Sequence, residues 1–360
     1  MKILFVGGDF DDGGGKASGY FQKFFLSCLN RTVVFPSVLM NGGYFSSLEN
    51  LCRTDTIKDY DIIFWFANVP NDKPKLIRDI KRMNPKCILI TSKANFYAKY
   101  STQDLISRAL ENKANLMVVF RNDGAMIKGG VLDPLGNLYT SNDDGDIDEL
   151  TNCLINRINT LRNFTRVGSE RVGETILMEQ DTGCFLDTIN ECADRFHELI
   201  HGANTTRMLG NASFRCEGGF PSARGKKNIF VSRRNIDKRD IGVSGFVACE
   251  PTMNGGMVRY YGDKKPSVDT PIQLALYGYY KDVNYMIHSH VYIDGAPFTT
   301  EKISCGALEE FGSIIDVIPP NASDFAVNLL GHGSLICVND PENFKLYTNN
   351  YIARPLPERN

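Results

Sequence analysis

The sequence predicts an α/β protein of two domains, and three observations carry that reading. The chain has 360 residues, enough for two ordinary cores. Its first half alternates short apolar runs with helical stretches, the pattern of a parallel sheet flanked by helices. Its second half opens on an amphipathic helix and continues mainly as strand signals.

In the first half, "KILFVGG", "TVVFPSV", "DIIFWFA", "KCILITS" and "LMVVFRN" read as buried strands. Between several of them, "KPKLIRDIKRM" and "TQDLISRALENK" read as helices. "GGVLDPLGNLYTS" reads as a hairpin turning at "PLGN". Asp146 is placed to cap a helix running through "DELTNCLINRINTLRNF". The expected first domain, residues 1–165, is thus Rossmann-like. "TRVGSERVGE" reads as a link, and the second domain is expected over 176–360. There, Phe185, Ile189, Cys192, Phe196 and Leu199 recur at spacings of four and three, marking a helix that stops near Gly202. "NIFVS", "GFVACE", "MVRYYG", "YMIHSH", "IIDVIP" and "GSLICV" read as strands, and "TPIQLALYGYYK" as a helix.

Composition narrows the function. Apolar residues make up 42%, charged residues 23%, and the formal net charge is −2, which gives no reason to expect a nucleic-acid or membrane-surface partner. No apolar run approaches the roughly 18 residues of a membrane span. "MKILFVGGDFDDGG" shows no cleavage-site pattern, and its apolar run is short for a signal peptide. Ten cysteines are scattered singly, without Cys-x-x-Cys, so reduced thiols and a cytoplasmic location are expected.

The chain has five histidines, and two of them stand in "MIHSHVYIDG". Residues two apart in a strand share a face, so His288 and His290 project together beside Met286, while Tyr285, Ile287 and Ser289 point the other way. Two imidazoles on one face suit a metal ion that takes a further ligand. His332 in "LLGHGSLI" is the candidate, since its flanking glycines let backbone approach another element. Three histidines leave an open coordination position, as in catalytic zinc. The plain alternative is a set of hydrogen-bonded histidines at a strand end.

From about Cys184 to the C-terminus the sequence resembles the class II aldolase/adducin family. Four pieces stand in the family's order. "LGNASFR" occupies the place of its Gly-Asn phosphate loop, and "KPSVDTP" that of Lys-Pro-Ser-Ser-Glu-Thr. "VNYMIHSH" matches the strand with two zinc ligands, and "LLGHG" the segment with the third. The resemblance implies one zinc ion per chain on His288, His290 and His332. It implies an α/β/α domain with a mainly antiparallel sheet, a small phosphorylated substrate, and a homotetramer with active sites between subunits. The implied activity is a lyase that cleaves or forms a carbon–carbon bond in a phosphorylated sugar or related aldol substrate. Zinc acts there as a Lewis acid that stabilises an enediolate, and a nearby carboxylate moves protons.

The family's aldolases have Glu after two serines; here the position is Asp269, and the second serine is Val268. An aspartate there is reminiscent of the family's pentulose-phosphate 4-epimerases, so an isomerase on the same fold is a second reading. Glu309 in "CGALEE" is the next carboxylate to consider, with Glu310, Tyr347 and Tyr351 behind it. For the substrate phosphate, Gly210, Asn211 and Ser267 keep the family's pattern. The usual Thr-Pro-Ser-Gly is replaced by "SRRN", where Ser232 would supply a hydroxyl and Arg233 or Arg234 a charged fork.

Three further signals compete. "HELIH", residues 197–201, matches the His-Glu-x-x-His of zinc proteases. Its helix stops at Gly202, and Asn204 and Arg207 stand where the longer pattern needs glycine and histidine. A non-catalytic, adducin-like binding protein is the other class, against which the three retained histidines argue. In the first domain, Gly13, Gly14, Gly15 and Lys16 form a glycine-rich turn suited to an anion or nucleotide phosphate. Neither Gly-x-Gly-x-x-Gly nor P-loop spacing is met.

Overall fold

The computed structural model describes residues 2–6, 23–24, 27–28, 31, 37–41, 45–65, 74–94, 100–123, 126–141, 145–175, 184–200, 210–216, 228–253 and 256–355. The chain forms two compact units, Met1–Asn163 with Leu356–Asn360, and Phe164–Pro355.

The first unit is built on strands β1 (Lys2–Val6), β2 (Ser37–Asn41), β3 (Ile62–Trp65), β4 (Ile88–Ala94), β5 (Leu116–Asp123), β6 (Met126–Leu132) and β7 (Leu138–Ser141). They form one seven-stranded sheet in the order β2-β1-β3-β4-β5-β6-β7. The pairs from β2 to β5 are parallel. This follows from strands buried on both faces: all four residues of β3 are buried. Leu4, Val6, Ile63, Trp65 and Leu89 pack with Ile77 and Ile80 of the helix Pro74–Met83. β6 and β7 are antiparallel to their neighbours, because two residues connect β5 to β6 and so short a link can only reverse the chain.

Local chemistry sets the boundaries. Ser101 and Asp104 form a reciprocal capping box at the start of the helix Thr102–Glu111. Asp146 Oδ1 accepts the Asp148 N–H at 2.8 Å, capping the helix Ile147–Asn163. In the β6–β7 hairpin, Asp133 Oδ1 accepts the N–H groups of Leu135 and Asn137, each at 2.9 Å, which organises the "PLGN" turn. Of the expected strand "TVVFPSV", residues 32–36 lie outside the described residues, and its last two begin β2. Gly13, Gly14, Gly15 and Lys16 lie outside the described residues.

The second unit contains β8 (Gly168–Gly173), β9 (Asn211–Cys216), β10 (Asn228–Ser232), β11 (Phe246–Cys249), β12 (Met257–Tyr261), β13 (Tyr285–Ser289), β14 (Tyr292–Ile293), β15 (Phe325–Leu329), β16 (Gly333–Val338) and β17 (Tyr351–Ile352). Eight of them form a sheet in the order β15-β16-β13-β9-β10-β11-β12-β8, antiparallel throughout except for the parallel β12–β8 pair. β14 and β17 pair separately. Apolar clusters cover both faces of the large sheet. Met286 packs in one with Ile272, Leu276 and Ile314, from the helices Thr270–Tyr279 and Glu309–Ile315. Ile287 packs in the other with Phe185, Ile189 and Phe196, from the helix Cys184–Leu199. The alternation along β13 is thus an α/β/α layering.

Three sequence readings differ from the structure. "TRVGSERVGE" contains β8, an edge strand whose polar pattern carries no apolar signal. "IIDVIP" is not a strand. Ile314 closes a helical turn and Ile318 follows four residues later, both buried in the same cluster, which is helical spacing. β15 forms from "FAVNL", a fully buried strand beyond those expected.

Candidate metal centre

His288 lies on β13 between two partners, opposite Leu335 of β16 and Asn211 of β9. His290 follows one residue past the strand end. His332 sits in the turn joining β15 to β16. The glycines on either side set its position. Gly331 has φ +73°, open to glycine without strain. A Cβ on Gly333 would lie 1.9 Å from the Ser289 carbonyl oxygen, so only glycine lets this backbone pass against Ser289 and His290. The three rings meet, with centroids 5.1 Å apart for His288–His290, 4.6 Å for His288–His332 and 5.0 Å for His290–His332. One ligand nitrogen from each lies within 4.8 Å of the others. Among the described residues this is the cluster of three donors that could hold a metal ion.

The hydrogen bonds define the donor atoms. His288 Nδ1 is 2.9 Å from the Ser334 carbonyl, which can only accept, so Nδ1 carries the hydrogen. Nε2 of His288 then holds a lone pair, and it is buried with no partner. His332 is engaged on both nitrogens, Nδ1 with Glu310 Oε1 at 2.8 Å and Nε2 with Cys305 Sγ at 3.0 Å. Burial pushes the His288 pKa down to about 4, helped by the charge of His332. Desolvation and the neighbouring imidazoles hold His290 well below its ordinary value. For His332 burial also acts downward, but the charges of Cys305 and Glu310 outweigh it and hold the ring well above its ordinary value.

Asp269 precedes the Thr270–Tyr279 helix and is 8% exposed. Its Oδ2 accepts from Asn211 Nδ2 at 2.8 Å, and Asn211 Oδ1 in turn accepts from Gln273. Its Oδ1 is buried without a partner. Asn211 stands opposite His288 in the β9–β13 pair, so its bond to Asp269 ties that carboxylate to the histidine strand.

The expected phosphate residues gather nearby, with different occupations. Gly210 has φ +81°, and a Cβ there would lie 2.6 Å from the His288 carbonyl, so this loop rests on β13. The Asn211 side chain is committed to Asp269 rather than open to an anion. Ser232 is fully buried, and its Oγ accepts the Ala212 N–H at 3.1 Å. Its carbonyl accepts the Ser267 N–H at 3.1 Å, joining the two expected loops. The Ser267 carbonyl accepts the Thr270 hydroxyl at 2.7 Å. Arg233 is half-buried and makes a loose ion pair with Asp263 at 3.8 Å.

Glu309 requires a correction. Its Oε1 accepts the Thr165 N–H at 2.8 Å, and it is Glu310 that faces His332. Successive helical residues point about 100° apart, so adjacent glutamates serve different neighbours. Tyr347 and Tyr351 pack in the cluster around the Cys184–Leu199 helix, which covers the opposite face of the sheet. His197 lies half-buried on that helix, and His201 is outside the described residues. Lys238 also belongs to this neighbourhood and is 4% exposed. Burial pushes its pKa down to about 8 against the attraction of Asp237 and Asp269, and its charge bears on His288 and His290. A lysine in a charged loop gives no sign in the sequence that it is buried.

Residues 190–296 match the profile of the Class II Aldolase and Adducin N-terminal domain. Among solved structures, an L-fuculose 1-phosphate aldolase is similar at 16% identity, over 47% of this chain and 85% of that one, with a TM-score of 0.32. The N-terminal class II aldolase domain of a conserved protein from Thermoplasma acidophilum is similar at 14% identity, over 49% and 95%, with a TM-score of 0.33. A DNA/pantothenate metabolism flavoprotein from Streptococcus pneumoniae is similar at 11% identity, over 45% and 99%, with a TM-score of 0.34. No curated protein matches in a sequence comparison. The aldolase/adducin match includes Asn211, Asp269, His288 and His290 and stops before His332, which joins them through the β15–β16 turn. No helix among the described residues is long and apolar enough to cross a membrane.

Proposed function

We propose that the second unit is a metal-dependent lyase of the class II aldolase type. It holds one zinc ion per chain on His288, His290 and His332 and cleaves or forms a carbon–carbon bond in a phosphorylated sugar or related aldol substrate. The observation that carries this reading is the buried lone pair of His288 Nε2, without a partner, in a cluster whose three ligand nitrogens lie within 4.8 Å. A set of three imidazole nitrogens fits zinc with one position left for substrate. When bound, the ion supplies Lewis-acid polarisation of substrate oxygens.

The chain's own residues do the rest. The Ser334 carbonyl fixes the tautomer of His288. Asn211 holds Asp269 by one oxygen, which leaves Oδ1 to take a proton from substrate and return it. Lys238 and Arg233 are the cations offered to the anionic end of the substrate. Oligomerisation belongs to this reading, with the site completed between copies. Aspartate at 269, shorter than glutamate by one methylene, supports a 4-epimerase-type isomerase as the second reading.

The test is Asp269→Asn in the full chain, assayed against a panel of ketose phosphates for aldehyde release and for inversion at one carbon. A loss of about 10²–10⁴ in kcat is expected, with zinc retained. A wild-type chain that takes up no zinc, or an Asp269→Asn variant within a few-fold of wild type on a turned-over substrate, refutes the proposal.

A further inference from the structure

One short segment grips His332 from both sides. Cys305 Sγ lies 3.0 Å from Nε2, and Glu310 Oε1 lies 2.8 Å from Nδ1. The backbone between them is closely set. Gly306 has φ +71°, and a Cβ there would lie 2.9 Å from the Val268 carbonyl oxygen. The Glu310 N–H donates to the Ala307 carbonyl at 3.1 Å, and Ile314 on the same helix is fully buried in the core. Glu310 itself is 3% exposed. A carboxylate buried so completely is costly unless a hydrogen-bonded partner stabilises it, and the ring of His332 is that partner.

The ligands are therefore backed unequally. Behind His288 stands a neutral carbonyl, that of Ser334. Behind His332 stands a carboxylate. A carboxylate that accepts the Nδ1–H keeps the other nitrogen as the donor atom, holds the ring plane, and makes the imidazole a stronger ligand. Glu310 acts through the ring nitrogen it bonds, His332 Nδ1.

We propose that Glu310 is a positioning residue for the metal ligand His332. The inference rests on the metal reading above. It is tested by zinc affinity in the full-length chain, measured by competition with a chromophoric chelator, and by the visible absorption of the cobalt-loaded protein. Glu310→Gln keeps an acceptor of nearly the same shape and loses the charge; Glu310→Ala removes both. Zinc binding should weaken about tenfold in the first and about a hundredfold in the second. The cobalt bands should shift in Glu310→Gln, with the far-ultraviolet circular dichroism unchanged. Glu309→Gln, one residue earlier and turned to Thr165, should bind zinc as wild type does.

Wild-type zinc affinity in Glu310→Gln, in a folded protein, overturns the inference whether or not Glu310→Ala folds. Equal weakening by Glu309→Gln also overturns it, since the effect would then be one of general charge. A wild-type chain that binds no zinc defeats the metal reading itself. A wild-type chain that binds zinc, with indifferent Glu310 variants, defeats only the role of Glu310.

Discussion

Gly333→Ala probes a place where the fold and the candidate metal centre share an atom-level constraint. The added Cβ would lie 1.9 Å from the Ser289 carbonyl oxygen, 2.9 Å from its carbon and 2.8 Å from His290 Cα. All three are backbone atoms, and Ser289 pairs with Ser334 at the start of the β13–β16 ladder. No side chain can rotate away, so the strand ends must separate by about 1.5 Å to reach ordinary contact. Overpacking of this kind costs about 1–3 kcal/mol, and an all-backbone clash belongs at the upper end. In a unit the size of Phe164–Pro355, 3 kcal/mol corresponds to a fall of about 6–12 °C in the melting of that unit. The same displacement carries His332 away from His288 and His290, so zinc affinity should fall in parallel. Calorimetry of the full chain and a chelator competition read both effects. Gly278→Ala is the matched control. It lies exposed on the Thr270–Tyr279 helix, and a Cβ there meets nothing within 4 Å. That substitution should stabilise by up to about 1 kcal/mol. A Gly333→Ala protein that melts as wild type does and binds zinc normally would refute the steric argument.

Two further outcomes follow from other parts of the molecule. Ser101→Ala removes the capping box of the Thr102–Glu111 helix and should destabilise the first unit by about 1 kcal/mol, read as an earlier midpoint in urea; an unchanged midpoint would show that the cap contributes nothing. In the metal-free chain, His288 has a folded pKa of about 4 against an ordinary 6.5, so the unfolded state binds the proton first. Its contribution is fully present above pH 6.5 and is lost as pH falls towards 4, on the order of 3 kcal/mol from this residue alone. His332, held above its ordinary value, acts in the opposite sense: it stabilises at low pH, and that contribution is lost as pH rises. Proton NMR titration of the ring resonances checks both, and a His288 resonance titrating near 6.5 contradicts its burial as a neutral ring.

The sequence alone determined which residues share a face. Alternation along "YMIHSH" placed His288 and His290 together beside Met286, and the structure keeps them so, because side-chain direction in a strand is a local property of the backbone. Continuous apolar runs marked the parallel strands of the first unit for the same reason: burial on both faces leaves its mark on every residue. The glycines around His332 signalled a close backbone approach without saying to what.

Only the tertiary structure decided the partners. Glu309 and Glu310 are adjacent and chemically identical, yet the packing of one helix sends the first to Thr165 and the second to His332, 22 residues away. Asn211 reads as a phosphate-loop residue but reaches Asp269 across 58 residues, and Lys238 is buried by a loop whose composition is that of a surface. β8 and "IIDVIP" fall on the same side of the line, since an edge strand and a single helical turn are stabilised by what they pack against more than by their own pattern. Periodicity is a property of neighbouring residues. A hydrogen bond between residues far apart in sequence depends on where the whole chain closes, and that is set by the core.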